Sequence, residues 1–481
     1  MKKIGIDAIS FYVPSLYVDL EKLAKKRNIA FAKLNKGLGL NKMAFPDVNE
    51  DAASFAANAL LELIFANKID PSTIGRIYLG TESALDAAKP TSTYALEAVE
   101  NQLSNTFGPR CFKNCDVLDM TFACVGAVDA LHNSIDWVTN GKGRKAVVIA
   151  SDFAKYELKS GGEYTQGAGA VAMLVTENPS IISISNTWGI ATKSEGDFFK
   201  PRRIFNKLKV LKETAKLLKV EISDTQAENI IKNNPSEFWS NSNINFELFK
   251  EEPVFDGPYS NACYQDRIHE ALEHFKGQKN VNVLKDWKHL LFHLPYAFQG
   301  RRMIVKNWVN WLQENNQIHN LTNEIGSVNF DNPSEWYKLA SKSKLYNSFI
   351  DQKVAPGEKA SSEIGNMYTA SIFMSLLSFL NFSFENKNDI EEDMIGFFSY
   401  GSGSKSKVFE GRIESKWKEK IKKSNLFSLL EHRKEISFET YVKLHKNQLN
   451  NSVNKTNAIQ LQNIEKSPSN IGLRQYAKLD V

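Results

Sequence analysis

The chain has 481 residues, 42% of them hydrophobic and 24% charged, with a formal charge of +5. That balance is globular, excludes global disorder, and gives length enough for two domains around a substantial core. So modest a charge does not imply nucleic-acid binding, no apolar run is long enough to span a bilayer, and the four cysteines are too few for a disulfide scaffold.

Taken in chain order, Met1-Lys-Lys-Ile-Gly-Ile-Asp7 enters a strand pattern with no signal peptide, so a cytoplasmic, reducing location is expected, which suits a working thiol. Arg76-Ile-Tyr-Leu-Gly80 reads as a strand, and Glu82 follows at its carboxyl end, where open α/β sheets place their chemistry. Glu82 fits a helix N-cap, because Thr81, Glu82 and Ser83 precede helix-forming residues, and it also fits a general base whose pKa is raised by partial burial. Cys111-Phe-Lys-Asn-Cys115 has ligand-like spacing, but no second Cys/His pair lies close in sequence, so no metal site is expected. Val117, Leu118 and Met120 form a short apolar strand, and Ala123-Cys-Val-Gly-Ala-Val128 opens a helix that runs towards Trp137. This strand–turn–helix junction puts Cys124 at a helix start, where unpaired N–H groups and the helix dipole stabilise a thiolate. A buried, inert thiol is the plainer reading of Cys124 taken alone.

Gly/Ala-rich residues 167–175 form a buried strand that closes a first half, residues 1–177. A strand over residues 181–189 opens a second half, residues 178–404. Residues 200–220 carry eight basic residues against Glu213, with Leu208, Leu211 and Leu218 at helical spacing. That is either a solvated basic helix face or an attractor for the phosphates of CoA or of an acyl carrier protein. Residues 204–250, rich in Lys, Asn and Ser, read as an insertion with local helices. His293 ends an apolar, strand-like run before Pro295, as a satisfied core histidine would. Asn366 precedes an apolar helix, as an N-cap would, and Gly401-Ser-Gly-Ser404 fits a turn. Residues 405–481 form a charged extension, whose last segment, 459–481, adds one strand. A Cys, a Glu, a His, an Asn and a Gly-rich loop at strand–helix junctions together fit acyl transfer.

The chain resembles the 3-hydroxy-3-methylglutaryl-CoA synthases of the thiolase superfamily. The resemblance runs from end to end. It rests on Thr81-Glu-Ser-Ala-Leu-Asp-Ala-Ala-Lys89, the Ala-Cys at Cys124, Ser151-Asp-Phe-Ala-Lys-Tyr156 and Asp197-Phe-Phe-Lys-Pro201. Phe292-His-Leu-Pro-Tyr296, Gly365-Asn-Met-Tyr-Thr-Ala-Ser371 and Ser399-Tyr-Gly-Ser-Gly-Ser404 complete it. It implies an α/β, thiolase-like fold of two similar halves in a layered α-β-α-β-α arrangement, with a C-terminal extension. It implies that acetyl-CoA acylates Cys124, that Glu82 deprotonates the acetyl methyl group, and that His293 holds acetoacetyl-CoA; residue chemistry adds Asn366 as a group that helps orient this second substrate. CoA thioesters are then substrates, no cofactor or metal is required, and a cytoplasmic homodimer with no membrane or nucleic-acid partner is expected. The backbone N–H groups of Cys124 and Ser402 are the candidate oxyanion donors.

Asp86, Asp152 and Asp197 match acidic positions that support the family's active site, and Tyr156 a tyrosine lining its acyl site. The sequence also departs from the family. Phe298 stands where many members carry a CoA-binding Lys, with Arg301 and Arg302 placed to take over, and Tyr164 stands where many bacterial members have Pro. The alternatives are a polyketide β-branching synthase with its acceptor on an acyl carrier protein, a ketoacyl synthase III-type enzyme, and a non-catalytic assembly partner of the same fold. Glu82, and the lack of a His beside Asn366, argue against the ketoacyl synthase. Joint retention of Cys124, Glu82 and His293 argues against the non-catalytic partner.

Overall fold

The computed structural model describes residues 2–234, 236, 238–239, 244–249, 251–328 and 333–478. The chain divides into two compact units, one of residues Met1–Asp197 with Gly257–Val481 and one of Phe198–Asp256.

The larger unit contains, in chain order, strand β1 (Ile4–Tyr12), helix α1 (Ala52–Asn67), β2 (Arg76–Gly80), α2 (Thr91–Phe107), β3 (Asp116–Met120) and α3 (Gly126–Thr139). Next come β4 (Ala146–Ala154), β5 (Gly167–Glu177), β6 (Ile182–Thr192), α4 (Gly257–Gln278), β7 (His289–Phe292) and α5 (Ser371–Glu385). The chain ends with β8 (Met394–Gly401), β9 (Lys405–Ile413), α6 (Phe438–His445), β10 (Ile459–Ile464) and β11 (Arg474–Lys478).

Nine strands are hydrogen-bonded in the order β7-β8-β9-β6-β1-β5-β4-β2-β3. The two halves meet at β1 and β6, paired antiparallel only at Gly5↔Ser183 and Ile6↔Ile182. Outward from that seam each half repeats one scheme: two antiparallel pairings and then a parallel neighbour, β2 in the first half and β7 in the second. The first half adds one further parallel strand, β3. The parallel neighbours require crossover helices, and these supply the layers. Helices α1 and α2 cover one face, α3 and α5 form a middle layer, and α4 packs on the outer face of the second half. Strand β5 lies between layers, which is why its Gly-Ala-Gly-Ala-Val-Ala run is buried without alternation.

Local chemistry sets the helix starts. Asp51 caps α1 by accepting from the N–H groups of Ala53 and Ser54, and Ser54 returns a hydrogen bond to the Asp51 backbone. Helix α5, read from the sequence as apolar, is buried at almost every position. The second half continues past residue 404: residues 401–404 form the turn between β8 and β9, and β9 completes the sheet. The extension adds a hairpin rather than one strand, β10 with β11, and residues 479–481 lie outside the described residues. Arg474 and Tyr476 of β11 both donate to the Asp51 carboxylate, tying the hairpin to the start of α1.

The smaller unit holds helices Lys207–Leu217 and Asp224–Asn233 with strands Arg202–Asn206 and Asn245–Phe249. The basic stretch is therefore helical only from Lys207. Ile204 and Phe205 favour the extended ladder, and the Asn206 side chain starts the helix by accepting from Lys209 N–H. Residues 235, 237, 240–243 and 250 of the expected insertion lie outside the described residues. Among the described residues no helix is long and apolar enough to cross a membrane.

Candidate active site

Parallel neighbours β2 and β3 end level with each other, Gly80 opposite Met120, so the residues that follow them converge. Gly80 is required there. A Cβ at Gly80 would lie 2.3 Å from the Ala127 backbone nitrogen, so only glycine lets the end of β2 approach the first turn of α3. Glu82 and Cys124 leave these two strand ends, and the Cys124 thiol donates a hydrogen bond to Glu82 Oε1 at 3.2 Å. Ala123, immediately before the cysteine, has φ +37°, a left-handed conformation that L residues rarely adopt, and α3 begins three residues after it at Gly126. Cys124 thus lies just ahead of the helix start, as the sequence suggests. The N-cap reading of Glu82 does not hold: the next helix, α2, begins only at Thr91.

Asp152 holds this junction together. It lies near the end of β4, two positions past Ala150, which is paired with Gly80, and is fully buried. Its carboxylate accepts from the Thr81 hydroxyl and the Glu82 N–H, both at 2.9 Å, and from the Thr369 N–H at 3.0 Å. The Thr369 hydroxyl in turn accepts from Ala127 N–H in the first turn of α3 at 2.9 Å. One carboxylate therefore links the Glu82 loop to the segment that carries Asn366.

Tyr156 is buried beside this pair. Burial, and then the charges of Cys124 and Glu82, push its phenol well above the usual range, while hydrogen bonds from Tyr368 and Asn366 oppose the shift. Asn366 also accepts the Tyr368 N–H at 2.8 Å, a local turn rather than a helix cap. Tyr368 is raised by burial first, with Tyr156, Glu82, Cys124 and Asp152 adding to it.

The second half contributes His293 and the loop over residues 401–404. His293 follows β7, is 1% exposed, and its Nδ1 lies 2.6 Å from the Ser371 hydroxyl. Burial pushes its pKa down to about 3, so the ring is neutral. Tyr264 of α4 donates to the His293 carbonyl at 2.8 Å, and the Cys124 charge contributes to raising the Tyr264 phenol, behind burial and Tyr296. Gly401 sits on the cysteine turn: a Cβ there would be 2.8 Å from the Phe122 carbonyl oxygen and 2.9 Å from Val125 N. Ser402 is next along the chain and is hydrogen-bonded to Tyr400. Asp197, fully buried, accepts from Tyr400 OH at 2.8 Å, Gly403 N–H at 2.9 Å and Ser260 at 3.1 Å, so it shapes this loop.

Three expected site residues lie apart from the cluster. Asp86 is exposed and accepts from the N–H groups of Ala88 and Lys89, a self-contained turn that holds its carboxyl below the usual range. Arg301 is committed to an ion pair with the buried Glu358 and stacks on Phe298 at 3.8 Å. Arg302 is exposed, over the Tyr296 ring at 5.6 Å.

Ser371, Tyr368 and Thr369 join the site without being singled out by local pattern, although all three lie within the Gly365-to-Ser371 motif. Nothing in the local sequence signals α6, whose residues support Tyr156. His445 hydrogen-bonds the Tyr156 carbonyl at 2.7 Å. Gln166 accepts the Tyr156 N–H at 2.9 Å and donates to Tyr441 OH at 2.8 Å, and Tyr441 donates to Glu163 at 3.0 Å. Burial pushes the other thiols up, Cys115 to about 12, with Cys111 and Cys263 shifted the same way. Among the described residues no group of three or more His, Cys, Asp and Glu side chains is arranged to hold a metal ion.

Known proteins of similar sequence and fold match this chain over most of its length. The family pattern described as "Hydroxymethylglutaryl-coenzyme A synthase N terminal" matches residues 1–180, and its C-terminal counterpart matches residues 243–471. The hydroxymethylglutaryl-CoA synthase of Haloferax volcanii is 28% identical over 92% of each chain, and that of Enterococcus faecalis is 27% identical over 94% of each. A solved structure described as "MvaS in complex with 3-hydroxy-3-methylglutaryl coenzyme A" is 26% identical, covers 99% of both chains and superposes with a TM-score of 0.75. The HMG synthase of the curacin biosynthetic pathway, 20% identical with a TM-score of 0.72, shares the fold. The chain belongs to the hydroxymethylglutaryl-CoA synthase family of thiolase-like, acyl-transferring condensing enzymes.

Proposed function

We propose that this protein condenses acetyl-CoA with acetoacetyl-CoA and water to give 3-hydroxy-3-methylglutaryl-CoA and CoA, feeding isoprenoid synthesis. The observation that carries the reading is the 3.2 Å hydrogen bond from the Cys124 thiol to Glu82 at two adjacent strand ends. A nucleophile and a carboxylate base in contact are what both half-reactions need.

In the first half-reaction Cys124 sulfur attacks the acetyl carbonyl, its proton passing to Glu82, and Glu82 passes that proton on to the departing CoA thiolate, which leaves as the thiol and restores the carboxylate. The tetrahedral oxyanion is assigned to the backbone N–H groups of Cys124 and Ser402, a reading supported by the close seat of Gly401 on the cysteine turn. In the second, Glu82 takes a proton from the acetyl methyl group. The carbanion adds to C3 of acetoacetyl-CoA, whose carbonyl oxygen His293 holds, and Glu82 returns the proton to the new alkoxide. Water then cleaves the thioester to Cys124 and releases the product.

Tyr156 and Asn366 line the acyl side. Asp152 and Asp197 act through the loops they hold, and Arg302 is the exposed cation left for the phosphates of the carrier. A second reading, with the acceptor on an acyl carrier protein, is favoured by Phe298 and by the engagement of Arg301 with Glu358. A homodimer is supported by β3, a sheet edge in this chain whose Leu118 is 43% exposed, and a cytoplasmic location by four free cysteines.

Intact mass spectrometry tests the reading. Acetyl-CoA should add one acetyl group, lost on Cys124→Ala. A chase with acetoacetyl-CoA should discharge it as 3-hydroxy-3-methylglutaryl-CoA. Discharge by acetoacetyl-carrier protein alone would select the second reading, and an adduct mapped to Cys111, Cys115 or Cys263 would overturn both.

A further inference from the structure

Ser371 opens α5 and is 3% exposed. Its hydroxyl is placed to donate to His293 Nδ1 at 2.6 Å or to the Tyr368 carbonyl oxygen at 2.9 Å, and its oxygen accepts the Leu294 N–H at 3.3 Å. A hydroxyl has one proton to give. The Tyr368 carbonyl already accepts the Ser371 backbone N–H, which closes the short 3-10 turn before α5. The imidazole nitrogen is the nearer acceptor. The Leu294 N–H occupies a lone pair of the hydroxyl oxygen and leaves its proton free to point at the ring. Burial keeps the ring neutral, so it carries a single proton, and with Nδ1 accepting from Ser371 that proton resides on Nε2.

We infer that Ser371 is a positioning residue that fixes His293 as its Nε2–H tautomer, a hydrogen-bond donor towards the acetoacetyl carbonyl oxygen. This rests on the substrate-holding role given to His293 above. The opposite tautomer would turn a lone pair towards that oxygen and repel it. The fixed tautomer also has a consequence for the first half-reaction. A ring with Nε2 protonated and Nδ1 engaged has no lone pair left to take the Cys124 proton, so that task falls to Glu82. One buried hydroxyl thereby separates the two groups: Glu82 moves protons, and His293 binds.

The test combines the tautomer with a split of the two half-reactions. In enzyme labelled with ¹⁵N-histidine, the His293 ring is identified by its loss in His293→Gln, and wild type should show a protonated Nε2 and a bare Nδ1. Ser371→Ala should shift the ring towards the Nδ1–H form and raise KM for acetoacetyl-CoA roughly tenfold, the effect of losing one hydrogen bond. Its acetylation burst on Cys124 should stay unchanged, and Ser371→Thr, which keeps the hydroxyl, should restore both tautomer and KM. A hydroxyl that merely packs would lower the melting temperature and move neither. Wild-type His293 protonated at Nδ1 overturns the inference without any variant, as does a Ser371→Ala enzyme that keeps tautomer and KM. If instead His293→Gln leaves the acetoacetyl-CoA KM unchanged, the substrate-holding role of His293 is what fails, and the spectrum still decides the tautomer.

Discussion

Strands β2 and β7 occupy the same place in the two halves, each the parallel neighbour of its half's long antiparallel pair, and each is followed by a titratable residue. After β2 comes Glu82, partly exposed, in contact with a thiol and tied by its backbone to the Asp152 carboxylate. After β7 comes His293, sealed and neutral, with a hydroxyl at Nδ1. On the proposed function, equivalent topology therefore yields a group that exchanges protons in one half and a group that only donates a hydrogen bond in the other. Solvation makes the difference. A carboxylate with partial access to water and a proton donor beside it can cycle between its charged and neutral forms. An imidazole in a dry pocket cannot become charged without a large desolvation cost.

The strongest attack on this comparison removes the nucleophile. Cys124→Ala should fold, form no acetyl adduct and lose activity by on the order of 10⁴-fold or more. In wild type, iodoacetamide should label Cys124 first and acetyl-CoA should protect it, because burial disfavours the thiolate at Cys111, Cys115 and Cys263. Rapid labelling of Cys115 instead would sink that ordering.

Glu82→Gln comes next. Condensation should fall about 10²–10⁴-fold, the usual contribution of a general base, while acetylation of Cys124 slows far less. Near-normal condensation in this variant would show that the carboxylate only positions the loop.

His293→Ala should raise KM for the acetoacetyl partner by roughly tenfold, with acetylation retained. Its depressed pKa also has a stability consequence. With an ordinary value of 6.5 in the unfolded chain and about 3 when folded, the unfolded state binds the extra proton, so this contribution is full above pH 6.5 and is lost as pH falls towards 3. Urea titrations of wild type and His293→Gln over that window should converge as the pH drops. Parallel curves would mean the ring is charged in the fold.

The smallest expected effect sharpens the comparison from a distance. Tyr441→Phe removes the hydrogen bonds that join α6 to Gln166 and Glu163, at a cost of about 1 kcal/mol. Because that network ends at Tyr156, beside Cys124, acetylation should slow a few-fold while KM for acetoacetyl-CoA holds. A change confined to the second substrate would place α6 in the service of His293 instead.

Residues close in sequence determined a good deal of this protein on their own. The strand before Glu82, the small-residue junction at Cys124, the buried Gly/Ala strand β5 and the apolar helix α5 are set by local patterning and steric fit, and all are legible along the chain. Local patterning could not say that Glu82 opens an irregular loop rather than capping a helix. Nor could it say that Arg301 is consumed by Glu358, or that Asp86 turns back on its own backbone. Only the tertiary structure decided those points, along with the dry environment of His293 and the support of Tyr156 by a helix of the extension. The physical reason is separation: Asp152 meets Thr369 across 217 positions, and Tyr441 meets Glu163 across 278. Hydrogen-bond partners and solvent exposure at such sites depend on which distant elements pack together, and no local pattern encodes that.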